Sequence, residues 1–475
     1  MLIERSLVLL YFAGCIGIGI WASRRVRGSS DEYWVAGRRV GTWVNAMAIM
    51  ATLASGGSII GVMGLAYSQG IPATLALFAG AVIGFPLASL LVARQLRNFG
   101  QYTITDFLVF RYPSPVVRYT VPVLIVIAFT IYIVAQLKAA GITAEALLGI
   151  PFELALTLAT LVFVIYVSFG GMIAVTWTDV SQGLLMLLVV LGTAAVLLWQ
   201  FGTPFELMRH ATTAAPELGR ISNRSVASYL GYFVIWATAI PVIPHIVMRV
   251  FTAKDAAGAR LSLNLAMLAY CALILAAVFA IVPVGKIEFP DLADADQIFL
   301  KVMEAKFPAV VRGLAVAAVL AAVMSTTDAL LLACSSSISH DLLGSFLARS
   351  ASGRTVSAVR VGTAWVIGLL ALYWAYSPPA LISEFYTAGI GLLSGSLFVP
   401  VIAGLWWKKA NLLGGVLALV AGASFYVLVH FRVLDVALAP IIVSLAASAL
   451  AMALAGVFGP PESRKMLESI ERLHA

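Results

Sequence analysis

The chain has 475 residues, of which 61% are apolar and 11% charged, with a mean hydropathy of +1.00. Soluble domains carry about 25% charged residues, so a water-solvated globule is excluded and a polytopic membrane protein with about a dozen ~20-residue crossings is expected. The net charge of +8 does not indicate a nucleic-acid partner, because the basic residues lie in loops between apolar runs, where their sidedness orients the chain.

The first apolar run, Leu7 to Ala22, follows Glu4-Arg5 and precedes Arg24-Arg25-Val26-Arg27. A cleaved secretory leader has its positive charge before the apolar stretch and a small-residue site after it. This run has neither, so a retained span with its N-terminus outside is expected. Further runs follow at 42–69, 71–93, 119–145, 152–169, 172–200, 227–247, 262–285, 308–338, 358–377, 381–407, 411–431 and 437–458, which with the first make thirteen. Threading them alternately puts most Lys and Arg residues in the cytoplasm, among them Arg24, Arg94, Arg97, Arg111, Arg118, Arg249, Arg260, Lys408 and Lys409. The positive-inside rule therefore supports the odd count, a cytoplasmic C-terminus and a multi-pass protein of the cell (inner or plasma) membrane. The acidic stretch Glu288 to Asp296 falls outside, as does the sequon Asn223-Arg224-Ser225. Cys15, Cys271 and Cys334 all lie inside apolar runs, where thiols pack as small hydrophobes.

Two spans are interrupted. The second contains Ala54-Ser55-Gly56-Gly57-Ser58 near its middle, and the seventh ends in Ala239-Ile240-Pro241-Val242-Ile243-Pro244-His245. Glycine and proline pairs break the hydrogen-bond ladder of a membrane helix, and the freed backbone groups are tolerated where protein, water or a ligand satisfies them. The breaks are five spans apart, so a repeat of that odd length runs the opposite way across the membrane in its second copy. Inverted repeats with broken first helices point to an alternating-access secondary transporter with its site at the midplane.

The sequence contains no HExxH, GxSxG or Walker-type phosphate loop, and its five histidines have no metal-ligand spacing. An enzyme and an ATP-driven pump are therefore disfavoured against transport driven by an ion gradient. A sodium ion takes hard oxygen ligands, which an unwound helix supplies as carbonyls and a facing helix as hydroxyls. The ninth span offers adjacent hydroxyls in Ala322-Val323-Met324-Ser325-Thr326-Thr327-Asp328. Lys138 and Asp328 are charges at membrane depth, where an ionisable group is costly and functional by default.

The run Tyr166-Val167-Ser168-Phe169-Gly170-Gly171-Met172-Ile173-Ala174, followed by Trp177-Thr178-Asp179, resembles the first signature of the sodium:solute symporter family. The run from Gly404 through Lys409 to Gly414-Gly415, ending near Gly422, is similar to the second, with Gly415 where the family pattern has Ala. The resemblance implies an all-α polytopic protein of thirteen transmembrane helices, with a LeuT-type 5+5 inverted-repeat core, one span before it and two after. The implied divisions are 1–41, an extra span and cytoplasmic loop; 42–200, the first repeat; 201–226, an extracellular loop; 227–407, the second repeat; and 408–475, two spans and a short tail. It further implies Na+ as the co-transported ion, with no organic cofactor. The implied carbonyl ligands are Ala51, Ala54 and Ala322, the hydroxyl ligands Ser325 and Thr326, and Asp179 lies on the inward sodium exit route. Asp341, fifteen residues after Thr326, matches an acid that the family often carries near the cytoplasmic end.

Around the first break this chain has Leu53, Gly57 and Ser58, where sugar-transporting relatives carry polar side chains and the proline symporter an Asp. Bare N–H groups and a small hydroxyl at a half-helix terminus suit a small anion. The expected substrate residues are Ser55, Gly56, Gly57 and Ser58, with Gln136 reaching a carboxylate and Trp236 closing over an apolar tail. The stretches Leu96 to Asp106 and Pro244 to Asp255 look most like the acetate/monocarboxylate permease branch, while Ser325 to Asp341 is closer to the proline symporter. The expected partners are sodium, a small anionic organic solute (a monocarboxylate, with an amino acid such as proline or pantothenate as the alternative) and the lipid bilayer, with no nucleic acid.

Overall fold

A computed structural model describes residues 2–24, 30–221, 225–344, 353–377 and 381–475. Arg25, Arg27 and the Asn223 of the sequon lie outside the described residues, as do the side chains of Tyr166 to Gly170 in the first signature. Among the described residues every regular element is helical, as expected where long apolar runs must satisfy their backbone groups internally. One isolated extended pairing joins Val40 to Ala253.

Eleven helices are long and apolar enough to cross a membrane, and the bent pair Thr42–Leu53 and Gly57–Gln69 makes a twelfth. The span expected at 152–169 corresponds to a shorter apolar helix, Phe152–Ile165, below the ~20 residues of a full crossing. Its backbone stays helical until Gly171, where φ 55° and ψ −163° separate it from the following span. The thirteen expected crossings thus stand as twelve and this shorter helix. A Cβ at Gly171 would lie 2.8 Å from Tyr33 Cδ2, so both the positive φ and the close approach require glycine there.

Both expected interruptions are present. The second span bends by 59° at its break. In the seventh, Val226–Ala239 stops before an extended Ile243 (φ −69°, ψ 130°) and Pro244–Thr252 resumes with proline in its first turn. Its two halves still make one crossing, Val226–Thr252.

The helix Ala309–Ser336 forms the centre of the bundle and is buried at every position from Ala315 to Ser336. Its alanines let neighbouring backbones approach closely, the mode of packing available where lipid removes the hydrophobic drive between helices. It packs against Pro115–Leu148, Phe152–Phe201 and Leu2–Ser23. Thr42–Leu53 packs against Ala256–Ala276 and Phe152–Phe201, and Val226–Ala239 against Ile71–Leu91 and Ile382–Trp406. The broken span therefore faces the central helix, and large apolar side chains such as Leu9, Leu188, Trp199 and Leu450 point outward.

Candidate functional site

The glycine pair and its flanking serines end one helix and start another within a few residues. Ala54 closes Thr42–Leu53, its N–H donating to Met50 O at 2.8 Å. The chain resumes as a π-type turn over Gly57–Gly61. Between them Ser58 N donates to Ser55 O at 2.8 Å and to Ser55 Oγ at 3.1 Å, and Ser58 Oγ donates to Leu53 O at 3.0 Å. The serines thus cap a break that the glycines allow.

The central helix meets the first half of this span through the expected sodium ligands. Ser325 Oγ donates to Ala51 O at 2.9 Å and to Ala322 O at 3.2 Å, and Thr326 Oγ1 donates to Thr52 O at 2.9 Å. Ala51, Ala322 and Ser325 therefore converge on one buried point, with Thr326 beside it and Ala54 at the end of the same half-helix. Carbonyls and hydroxyls are the hard oxygens that a sodium ion takes.

A second cluster surrounds the break itself. Gly56 N donates to Gln136 Oε1 at 2.9 Å, and Tyr132 Oη donates to Ser55 Oγ at 3.2 Å. Tyr270 Oη lies 3.4 Å from Ser58 Oγ. Tyr132 stacks on Tyr386 with centroids 5.2 Å apart, and Trp236 meets Tyr386 edge-on at 5.9 Å. Gly57 lies against Tyr386, where a Cβ would come within 2.5 Å of Cε1. The expected residues Ser55, Gly56, Gly57, Ser58, Gln136 and Trp236 are thereby brought together. Gln136 Nε2 and Trp236 Nε1 are both buried donors without a hydrogen-bond partner among the described residues.

Sequence reasoning missed part of this cluster. Tyr132, Tyr270 and Tyr386 stand in apolar runs with no pattern to mark them, and their one signal is a polar tip on a residue at membrane depth. His245, which the sequence marks only as the end of the second break and one of five scattered histidines, is buried with neither ring nitrogen hydrogen-bonded among the described residues, edge-on to Phe129 at 5.1 Å and to Tyr132 at 6.3 Å.

The buried charges pair across the bundle. Asp179 forms an ion pair with Arg249, and its Oδ2 accepts from Thr52 Oγ1 at 3.1 Å. Arg249 also donates to Thr176 Oγ1 at 2.9 Å and to Thr52 Oγ1 at 3.3 Å. Thr52 thus links the two networks: its carbonyl takes the Thr326 hydroxyl, and its own hydroxyl joins Asp179 to Arg249. Arg249 corrects the sequence reading, which placed it among the cytoplasmic loop charges. It is 1% exposed, because the apolar residues around it bury the whole helix Pro244–Thr252. Arg111 is corrected likewise, being buried with its Nη1 donating to Glu462 Oε2 at 2.6 Å.

Asp328 lies one turn beyond Ser325 on the central helix, fully buried, with neither carboxylate oxygen hydrogen-bonded to a described residue. Lys138 is buried too, but its Nζ donates to Asp296 Oδ2 at 2.9 Å. Asp296 ends the acidic stretch expected outside the membrane, and it is fully buried. Burial pushes its carboxyl above the ordinary range, against the opposing pull of Lys138.

Residues 33–422 match the family model described as the sodium:solute symporter family. The osmoregulated proline transporter OpuE of Bacillus subtilis (strain 168) is 28% identical over 431 residues, covering 87% of this chain and 86% of that protein. Among solved structures, the substrate-bound outward-open state of a Na+-coupled sialic acid symporter superposes with a TM-score of 0.80 at 18% identity, over 97% of this chain and 98% of that one. MhsT in complex with L-phenylalanine superposes with a TM-score of 0.58 at 12% identity, over 89% of this chain and 99% of that one. These likenesses show a shared LeuT-type helical fold.

Proposed function

This chain belongs to the sodium:solute symporter family, whose members are secondary transporters and not enzymes, and from that premise we propose that it imports a small monocarboxylate of the acetate, pyruvate or lactate kind together with sodium. The observation that carries this reading is the pair of unpartnered buried donors, Gln136 Nε2 and Trp236 Nε1, beside the bared backbone of Gly56 and Gly57. A carboxylate accepts from such donors, and charge-assisted bonds of this kind are the strong ones. Among the described residues, those that meet at the break supply no acidic side chain to repel it.

Sodium at Ala51, Ala54, Ala322, Ser325 and Thr326 would fasten the half-helix Thr42–Leu53 to the central helix and so order the neighbouring break for the solute. Coupling of this kind is reciprocal and typically ~1–3 kcal/mol. Thr52 joins that ion site to Asp179 and Arg249, a connection that supports reading Asp179 as part of the sodium exit route. In this reading the N-terminus lies outside, the C-terminus in the cytoplasm, and release follows opening toward low sodium.

A second reading, proline, is favoured by the relationship to OpuE and by the ring faces of Tyr132, Tyr386 and Trp236, which would attract a secondary ammonium. The test is uptake of labelled acetate, lactate, pyruvate and proline into proteoliposomes under an inward sodium gradient, with choline as the replacement cation. Sodium-dependent uptake of a monocarboxylate is expected. Proline alone being taken up would select the second reading, and equal uptake in choline would overturn sodium coupling.

A further inference from the structure

One end of the central helix carries side chains that the transport reading leaves unused. His340 and Asp341 lie in the last turn of the span Ala309–Leu342, and they face the start of the short helix Ile104–Arg111. That helix begins with a capping box: Thr103 Oγ1 accepts from Asp106 N at 3.0 Å, while Asp106 Oδ2 accepts from Tyr102 N and Thr103 N at 3.1 Å each. The cap fixes the Asp106 carboxylate and leaves Oδ1 3.1 Å from His340 Nε2. Asp341 Oδ1 accepts from Thr103 Oγ1 at 2.9 Å and lies 4.0 Å from His340 Nε2. The Asp341 side chain is 1% exposed, and its Oδ2 has no hydrogen-bond partner among the described residues. A cavity of about 390 Å³ opens onto these groups, lined also by Thr105, Arg118 and Gly344.

A buried carboxylate oxygen without a donor costs about 1–3 kcal/mol or more, and here it belongs to a pair of acids sharing one imidazole. Ligand atoms from Asp106, His340 and Asp341 all lie within 4.8 Å of one another. Two donors bound to one ion at ~2.1 Å sit at most about 4.2 Å apart, and the separations of 3.1 and 4.0 Å about His340 Nε2 satisfy that limit. One imidazole nitrogen with two carboxylates suits a borderline transition metal better than magnesium or calcium, which take oxygen alone.

We propose that Asp106, His340 and Asp341 form a binding site for a divalent transition-metal ion of the zinc type. The ion takes the position between His340 Nε2 and the two carboxylates, the imidazole coordinates as the neutral ring, and any proton on Nε2 is released to solvent. The dication offsets the charge of both carboxylates, including that of the buried Asp341 side chain. It also staples the end of the helix that carries Ser325 and Thr326 to Ile104–Arg111, so occupancy restrains that helix.

The test uses full-length protein in detergent, stripped with EDTA and titrated with Zn2+ by calorimetry and with Co2+ by visible absorption. Saturable binding of a single ion is expected, with nitrogen and oxygen coordination in the cobalt spectrum, weakened by about tenfold or more in His340→Ala and in Asp341→Asn. The His340 side chain is 30% exposed, so His340→Ala should keep its metal-free unfolding temperature. Wild-type protein that binds no ion saturably, His340→Ala that binds like wild type, or thiolate charge-transfer bands placing the ion on cysteine would each overturn the proposal.

Discussion

Lys138 Nζ lies 2.9 Å from Asp296 Oδ2 although 158 residues separate them in the chain. The same oxygen accepts from Ile382 N at 3.1 Å, and Gly64 packs so closely on Asp296 that a Cβ there would collide with it. One carboxylate therefore joins Pro115–Leu148, the second half of the broken span and the start of Ile382–Trp406.

Removing one partner of such a buried pair strands the other charge, at a cost of about 3–5 kcal/mol, whereas replacing both with apolar residues is often nearly neutral. Asp296→Asn and Lys138→Met should each destabilise the protein strongly, and the double variant Lys138→Met/Asp296→Leu by less than the sum. A double-mutant cycle in thermal unfolding measures this, and additive effects would show that the two charges are not coupled.

Ser325→Ala and Thr326→Ala each delete one hydroxyl oxygen from the expected ion site. The half-saturating sodium concentration for uptake should rise about tenfold, equivalent to ~1.4 kcal/mol, with solute affinity preserved at saturating sodium. A sodium titration of uptake reads both quantities. An unchanged sodium requirement in both variants would move the ion elsewhere.

Gly57→Ala places a methyl group 2.5 Å from Tyr386 Cε1. Tyr386 is packed between Tyr132 and Trp236 and cannot retreat without disturbing both. The variant should fold but lose solute affinity by about tenfold or more, since overpacking costs typically 1–3 kcal/mol. Tyr386→Leu in the same chain should recover part of the loss. Binding measured by thermal shift with each solute decides the matter, and normal affinity in Gly57→Ala would place the solute away from this ring.

Trp236→Phe keeps an aromatic ring and removes the Nε1 donor. If that donor meets the carboxylate, KM should rise with kcat little changed, because the lost bond is made equally in the bound ground state. Gln136→Met should do more damage, since it also leaves Gly56 N without its acceptor, a penalty of about 1–3 kcal/mol. Trp236→Phe with wild-type KM would assign the indole to packing alone.

Much of the fold is legible in the sequence because its determinants are local. Apolar runs of crossing length, a charge content of 11% and the breaks at Gly56-Gly57 and Pro241 to Pro244 are properties of neighbouring residues, and the backbone answers to them directly. The hydroxyls of Ser325 and Thr326 were legible for the same reason, as adjacent polar groups in an otherwise apolar run, sharpened by the family signatures. Pairing was not legible. Arg249 looked like a loop charge until the bundle set it against Asp179 and Thr52, and nothing near Asp296 in the chain points to Lys138. Tyr270 and Tyr386 carry no local mark that would bring them to Ser58 and Gly57. By itself the sequence determined that the chain is built of long apolar helices and where two of them are interrupted, since those depend on the hydropathy and stereochemistry of consecutive residues. Only the tertiary structure decided which buried charge each charge meets and which rings enclose the break, because a buried polar group is satisfied by whatever packing brings within about 3 Å, however distant that partner is along the chain.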